Sequence, residues 1–542
     1  MNLHVKEHSI DQLTSFGTDY IHHFDRVAPF FHYHPFAEDS YRQRVEELRQ
    51  QNFPRKGLAD VIRSFHQKWG IHPNVEENLR KLEDSQSVVV IGGQQAGLLL
   101  GPLYTLHKVI SILTLARQQE KELGIPVVPV FWIAGEDHDY HEINHVFVPG
   151  QNENVTKLSL SESEQSRTSM SYLSLPKDEV RAWLNQFFES QPETEFSHEL
   201  KDLLLSNMEQ STTFVDYFAS LLHHLFQDYG LLMIDSADEA LRTLETEMFK
   251  QVIERYEEID GHVRQGISDV MDRGYQPQVQ LGEYPALLFV QDQEGRLLLE
   301  KIEDGFQAKV GGLHLSKDEL LKMAENEPQR LSHNVVTRPL MQEMLFPTLA
   351  FVAGPGETSY WALYKGMFES FGKKMPVLAP RMSMTLIEKP IAKILSKREM
   401  PVDTVFGHMD RFRQQWLKEQ DHLQLETTFT QLRENIHQAY EPVLQKLENV
   451  PGMDALGSKN IEKVLTQVDY LEKRSVASLK SQHDVALRQF DKVEQSLFPL
   501  GKLQERTHNP FTFFNKHGMV LVKHLLDLPL EANGQHKLIY IQ

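Results

Sequence analysis

The stretch Val88 to Lys108, VVVIGGQQAGLLLGPLYTLHK, restricts what this chain can fold into more than any other. It opens with four β-branched residues, Val88 to Ile91, the mark of a strand buried on both faces of a parallel sheet. Gly92 and Gly93 follow, where a chain turns sharply and lets other groups approach its backbone. Polar Gln94 and Gln95 come next, then Gly97 and the pair Gly101-Pro102. Leu103, Leu106, Ile110 and Leu113 then recur at helical spacing. Strand, glycine-rich turn and helix together place backbone N–H groups and a helix start at the carboxyl edge of a sheet, where anions bind. The glycine spacing is neither that of a P-loop nor that of the dinucleotide fingerprint, so a purely structural turn stays open as a reading.

The same pattern recurs along the chain. Gly124 is placed to close the first helix, and Pro126 to Ala134, PVVPVFWIA, reads as a second buried strand. It ends at Gly135 and a polar cluster, Glu136, Asp137, His138, Asp139, Tyr140, His141 and Glu142. That cluster fits substrate binding or acid–base work, with a metal site and a capped turn as alternatives. Gly230 to Asp235, GLLMID, is a short strand ending in a carboxylate. Leu349 to Ala353 is another, preceded by Asn334, Thr337 and Arg338 and followed by Gly354-Pro355-Gly356-Glu357, with Tyr360, Trp361 and Tyr364 in the next helix. Met375 to Ala379 is a further strand, followed by Arg381, Ser383 and Thr385. Strands and helices in alternation, with chemistry at the strand ends, predict a doubly wound α/β core. A turn made only for packing needs glycine or proline but not arginine beside glutamate. An arginine's fork suits a carboxylate or a phosphate.

With 542 residues the chain has room for several units. Residues 1–85 are expected to be helical and packed on the core, and 86–149 to form the first half of the core. Residues 150–229 read as a first insert. Residues 230–330 read as a core strand with a second, partly β insert, whose hairpin runs through Ala286 to Val290 and Arg296 to Ile302. Residues 331–388 complete the core. From 389 to 500 glycine almost vanishes, and Leu425, Phe429, Leu432, Ile436, Ala439 and Val443 recur as a heptad seam. An antiparallel hairpin of two helices, each about 40 residues and ~60 Å long, is the expected arm. Dimerisation through it is expected, with tRNA binding as the rival. Residues 501–542 return to the core, with Met519 to Val522 and Lys537 to Ile541 as final strands.

The formal charge of −20, with no long basic run, argues against a nucleic-acid partner. The chain has no cysteine, and so no disulfide, thiolate nucleophile or thiolate metal site. No apolar run approaches the ~18 residues that span a membrane. The start, MNLHVKEHSIDQL, lacks the basic and apolar segments of a signal peptide, so a cytoplasmic location is expected. His22, His23, His32 and His34 among Phe24, Phe30, Phe31 and Tyr33 read as an aromatic layer with surface histidines, or as a metal site.

Several motifs together resemble a known family. They are GQQAG with GPLYT and Lys108, FWIAGEDHD with Glu142, RPLMQEMLFPTLAFVAGPGE with Tyr360 and Trp361, PRMS, LQER with Asn509, and the closing HKLIYI. They resemble the bacillithiol biosynthesis cysteine-adding enzyme family over essentially the whole chain. The resemblance implies a Rossmann-like, parallel-sheet nucleotidyltransferase core related to class I aminoacyl-tRNA synthetases and pantothenate synthetase. It also implies two connecting inserts, a coiled-coil arm used for dimerisation, and the last step of bacillithiol synthesis, in which L-cysteine is joined to the amine of glucosaminyl-malate. The region matching the synthetases' His-Ile-Gly-His signature reads GPLYTLHK, with only His107, and the later loop at Arg381 to Thr385 has no lysine. ATP is the expected energy source, with Lys108, Arg338 and Arg381 as replacements for the missing phosphate-binding groups. Zinc, which grips the thiolate in other cysteine-selecting enzymes, is not expected, because only His138, His141, Glu142 or the N-terminal histidines remain to hold it.

Joining a carboxylate to an amine needs an activated carboxyl and an amine free of its proton. Asp137 or His138 is expected to take that proton, with Lys108 as a third catalytic group. Gln94, Gln95, Tyr104, Trp132, Asn334, Arg338, Gly354, Gly356, Glu357 and Tyr360 are expected to bind substrate, with Arg338 and Arg381 on carboxylates or phosphates and Glu357 on an amine. Gly93, Gly97, Arg381, Ser383, Arg506 and Asn509 are expected to hold the nucleotide. The competing expectation is a non-catalytic dimeric nucleotide-binding or scaffold protein on a degenerate synthetase fold.

Overall fold

Five strands carry the core: β1 (Val88–Gln94), β2 (Val127–Ile133), β3 (Leu232–Asp235), β4 (Thr348–Ala353) and β5 (Val377–Pro380). The computed structural model describes residues 2–10, 14–150, 154–161, 168–279, 281–283 and 285–542. All five strands are parallel, in the order β5-β4-β1-β2-β3. Nearly every residue in them is buried, which is why they read as unbroken apolar runs rather than alternating ones. The winding reverses between β1 and β4. In sheets of this kind such a switch point opens a crevice beyond the carboxyl ends of the strands. Three helices flank that crevice: α1 (Leu103–Leu123), α2 (Arg338–Leu345) and α3 (Pro355–Trp361). Gly124 closes α1 at φ 67°, the left-handed cap that glycine adopts without a side-chain clash.

The loop from β1 to α1 is strained. Leu99 and Leu100 take φ of 46° and 65° although both are fully buried. The left-handed region costs a residue with a Cβ about 1 kcal/mol. The C-terminal segment holds the loop there. The Asn509 amide donates to the Leu99 carbonyl at 2.9 Å and the Gly101 carbonyl at 2.7 Å, and the Leu103 amide donates to the His508 carbonyl at 2.8 Å.

The chain divides into two compact units, one formed by residues up to Leu386 together with Gln504–Gln542, the other by Ile387–Leu503. In the first, a five-stranded antiparallel sheet is built from Pro285–Asp292, Gly295–Ile302, Gly305–Ala308, His314–Leu315 and Leu331–His333. Two expectations fail here. The N-terminal region is not wholly helical, because Leu3–His8 pairs antiparallel with His536–Ile541, a partner that no local pattern reveals. Met519 to Val522 is not a strand but belongs to the helix Val520–Leu526, as a short apolar run fits either period. Part of the serine- and glutamate-rich stretch of the first insert, 151–153 and 162–167, lies outside the described residues.

The second unit is helical, and its hairpin is shorter than expected. Leu425–Leu447 runs against Met453–Gln482, and a break at His483 separates the latter from Asp484–Leu497. Phe429 is buried and Ile436 half-buried, but Leu432, Ala439 and Val443, expected in the same seam, are exposed. Leu425 is half-buried as expected, and Arg433, Tyr440 and Leu444 take up the inner face in place of the exposed three. Among the described residues no helix is long and apolar enough to cross a membrane.

Candidate functional site

A cavity of about 320 Å³ lies at the switch point. Gly93 and Gln94 reach it from the end of β1, Trp132 and Ala134 from β2, and Phe351 from β4. Gln95, Tyr104 and Lys108 come from the loop and first turns of α1, and Arg338 from the start of α2. Gly354, Pro355, Gly356, Glu357 and Tyr360 come from the turn into α3, Arg381 follows β5, and Arg506 comes from the C-terminal segment. Segments more than 400 residues apart in sequence therefore share one wall, because parallel strands bring all their carboxyl ends to one edge.

Four cations, Lys108, Arg338, Arg381 and Arg506, and one carboxylate, Glu357, line this cavity among the described residues. Lys108 is buried. Its Nζ donates to the Gly93 carbonyl at 2.7 Å and to Glu357 Oε2 at 2.6 Å. Burial lowers the Lys108 pKa, an effect the Glu357 carboxylate only partly offsets. The same Glu357 oxygen accepts from the Gly354 amide at 2.7 Å, which ties the start of α3 to α1. Arg338 lies over the Phe351 ring, 5.5 Å from its centre, and donates to Gln342 at 3.2 Å. Burial pushes the Tyr360 hydroxyl up to about 12, against the pull of Arg338, so it stays a donor. Burial also raises Tyr104, with Arg381 and Arg506 opposing.

Arg381 is anchored by a buried carboxylate. Its Nη2 donates to Glu505 at 2.6 Å, and its guanidinium stands 5.6 Å from the centre of the Tyr104 ring. Its Nη1 is buried and has no partner among the described residues. Burial and then the neighbouring Arg381 both disfavour the charge on Arg506, yet an arginine does not give up its proton. Two like charges are thus held together where an anion relieves both. The indole nitrogen of Trp132 is a second buried donor with no partner among the described residues.

Six expected residues stand elsewhere, each for a local reason. Asp137 is one hydrogen bond behind the wall: it accepts from the Gln95 amide at 2.5 Å and from the His138 backbone at 2.8 Å. The His138 ring lies 6.2 Å from that of Phe289, on the insert sheet. Asn334 caps the turn into α2, accepting from the Val336 amide at 3.0 Å and the Thr337 amide at 3.1 Å. Gly97 is needed by the loop, since a Cβ there meets the Gly101 Cα at 3.1 Å. Ser383 pairs with His536 at 2.9 Å, and Asn509 is the clamp described above. Gly93 lines the cavity but is glycine for another reason, as a Cβ there meets the Trp132 carbonyl at 2.5 Å. Gly356 has nothing within 4 Å of the place a Cβ would take. Among the described residues no three His, Asp or Glu side chains converge as a metal site would require.

Two functional groups escaped the sequence reading. The sequence pattern gives Glu505 no role, and His107 stands in it only as the remnant of a signature. The His107 Nδ1 lies 2.9 Å from Glu505 Oε2. Burial depresses the His107 pKa despite that carboxylate, so the ring is neutral and Nδ1 carries the proton it donates. A lone glutamate in LQER gives no hint of being buried, which depends on partners far away in sequence.

Comparison with known proteins bears on the same chain. Residues 3–382 match the family model described as Bacillithiol biosynthesis BshC, N-terminal Rossmann-like domain. Residues 384–541 match Bacillithiol biosynthesis BshC, C-terminal coiled-coil domain. A protein of Geobacillus sp. (strain WCH70) is 38% identical, over 99% of this chain and 100% of its own length. One of Geobacillus kaustophilus (strain HTA426) is 36% identical and one of Bacillus anthracis (strain CDC 684 / NRRL 3495) 35%, with the same coverage. All three bear the name "Putative cysteine ligase BshC".

Proposed function

Because the chain belongs to the bacillithiol biosynthesis BshC family, we propose that it is a cysteine ligase that joins the carboxyl of L-cysteine to the amine of glucosaminyl-malate. The observation that carries this reading is the cavity itself. Four cations and one carboxylate line it in a chain whose formal charge is −20. A cation cluster in such a chain fits a small polyanion, and the malate part of the acceptor carries two carboxylates. Arg338 and Arg381 would take these or the phosphates of the nucleotide, and Tyr360 would donate a further hydrogen bond. Glu357 would hold an ammonium: its Oε2 is spent on Lys108 and Gly354, which leaves Oε1 toward substrate.

Amide formation expels the elements of water, and ATP supplies the activation of the carboxyl. The residues present fit a phosphate, since Arg381 and Arg506 line the cavity close enough to repel each other. Of the residues expected to hold the nucleotide, Gly93, Arg381 and Arg506 line the cavity; Gly97, Ser383 and Asn509 support it from behind. Asp137 would act through Gln95, fixing an amide that faces the substrate, rather than meeting the amine directly. Trp132 and Phe351 supply the apolar floor.

The arm would join two copies of the chain. Leu432, Val443, Leu456 and Leu471 are exposed on it, an unusual number of large apolar side chains for a solvated helix pair. Sedimentation equilibrium of the full chain is expected to give twice the monomer mass. The activity is tested by mass spectrometry of the purified protein with glucosaminyl-malate, L-cysteine and ATP. Bacillithiol is expected, with AMP or ADP formed in equal amount; no product from folded protein overturns the reading.

A further inference from the structure

Glu505 belongs to no wall of the cavity, yet three separate parts of the site converge on it. Oε1 accepts from Arg381 Nη2 at 2.6 Å, and Oε2 accepts from His107 Nδ1 at 2.9 Å and from the Met384 amide at 3.2 Å. The carboxylate is 2% exposed. His107 lies next to Lys108 on α1, Arg381 follows β5, and Arg506 is the next residue along the chain. The segment around Glu505 is fixed at both ends. Gln504 bonds to both the amide and the carbonyl of Leu386, at 2.7 and 2.9 Å, and Asn509 holds the strained Leu99–Gly101 loop.

We infer that Glu505 is a positioning residue that aims the Arg381 guanidinium into the cavity and sets it against α1, so that anion affinity depends on a carboxylate the anion never touches. The inference rests on the ligase reading for the identity of the anion, not for the geometry. A guanidinium has five donors in a fixed fork. Glu505 takes Nη2, which fixes the plane of the fork while Arg381 itself lines the cavity. Burial opposes the charge on Glu505, but Arg381 and the His107 hydrogen bond more than offset it and hold the carboxyl well below its usual range. It is therefore a permanent anion, and a neutral His107 completes its coordination.

Simple electrostatics gives the opposite expectation. Replacing Glu505 by glutamine adds one net positive charge beside an anion site, so a mere bystander, once removed, would let the anion bind tighter. A positioning residue, once neutralised, frees Arg381 to rotate, and the anion binds more weakly. The experiment is calorimetric titration of the full chain with glucosaminyl-malate and, separately, with inorganic pyrophosphate. The proteins are wild type, Glu505→Gln, Glu505→Asp, Arg381→Lys and the double variant Arg381→Lys with Glu505→Gln, with thermal melting of each. Glu505→Gln is expected to bind both probes at least about tenfold more weakly, the scale of losing one hydrogen bond to a charged group. The double variant is expected to be no weaker than Arg381→Lys alone. Glu505→Asp, which keeps the charge and withdraws it by one methylene, is also expected to lose affinity, and it carries the test if the glutamine variant does not fold. Equal or tighter binding by either folded Glu505 variant overturns the inference, as does an additive double variant. Wild type that binds pyrophosphate but ignores glucosaminyl-malate overturns the ligase reading while the pyrophosphate series still decides on Glu505. Wild type that binds neither overturns both.

Discussion

Both units of this protein carry arginine–carboxylate pairs, and the two sets differ in kind. In the core, Arg381 and Glu505 meet at 2.6 Å with side chains 4% and 2% exposed. In the arm, Arg433 meets Asp469 at 3.0 Å with side chains 31% and 51% exposed. Water can replace any partner of Arg433, and salt screens what attraction remains. Arg381 is nearly closed off from bulk water, so its buried donors need a protein group, an enclosed water or a ligand. Among the described residues its Nη1 finds none. A charge pair on the surface says little about function, whereas a buried one with a donor left over points at what the protein binds.

The sharpest way to break this comparison is to remove the buried cation. Arg381→Ala is expected to reduce product formation at least about a hundredfold, as loss of a preorganised donor does. It is also expected to destabilise the fold by about 3–5 kcal/mol, because Glu505 is left buried without its counter-charge. Single-turnover mass spectrometry and urea unfolding measure the two effects, and a stable, fully active variant would sink the distinction drawn above.

Acid should separate buried from exposed titratable groups in the same way. Burial, and then repulsion from His223, hold His66 at about 3, against an ordinary value of 6.5. Its Nε2 accepts from the Met233 amide at 2.9 Å, so the ring is neutral and serves as a backbone acceptor. Below pH 6.5 the unfolded chain takes up a proton here that the folded chain refuses. Stability from this group is therefore complete above pH 6.5, and it falls by about 1.4 kcal/mol per pH unit until the pH approaches 3. His66→Gln retains an acceptor and is expected to flatten the slope of unfolding free energy against pH by that amount. An unchanged slope would mean that His66 is charged in the fold.

Gly356→Ala sharpens the contrast between cavity and scaffold. Among the described residues nothing meets the added methyl, and alanine favours the first turn of α3, so the melting temperature is expected to hold. The methyl enters space meant for substrate, and KM is expected to rise about tenfold, the scale of one methylene in a binding pocket. A lower melting temperature with unchanged KM would assign Gly356 to the scaffold. The smallest effect belongs to the arm: Arg433→Ala is expected to leave both product formation and melting temperature within the scatter of measurement.

Much of this was legible beforehand. The apolar runs at Val88, Val127 and Leu349 are strands because parallel strands buried on both faces read as near-continuous apolar sequence. Once those runs and the one at Val377 are strands, Gly93, Glu357 and Arg381 come together, since each lies at or just past a strand's carboxyl end. The failures also follow a rule. Asp137 and His138 lie past the end of β2, but the register of that strand end turns them behind Gln95 and toward the insert sheet. Asn509 looked like a ligand group and is a clamp, because its partners, Leu99 and Gly101, lie some 400 positions earlier. Beyond Phe429 the expected heptad seam lies one residue off at Leu432, Ala439 and Val443, since period alone does not say which stripe a partner helix covers.

The sequence by itself determined the elements, the parallel sheet and the edge where the chemistry gathers, because hydrophobic period and glycine placement act locally. Only the tertiary structure decided which polar groups at that edge face the cavity and which serve as struts. That choice depends on burial and on partners such as Glu505 and Asn509, delivered by a segment that returns to the core from the far end of the chain.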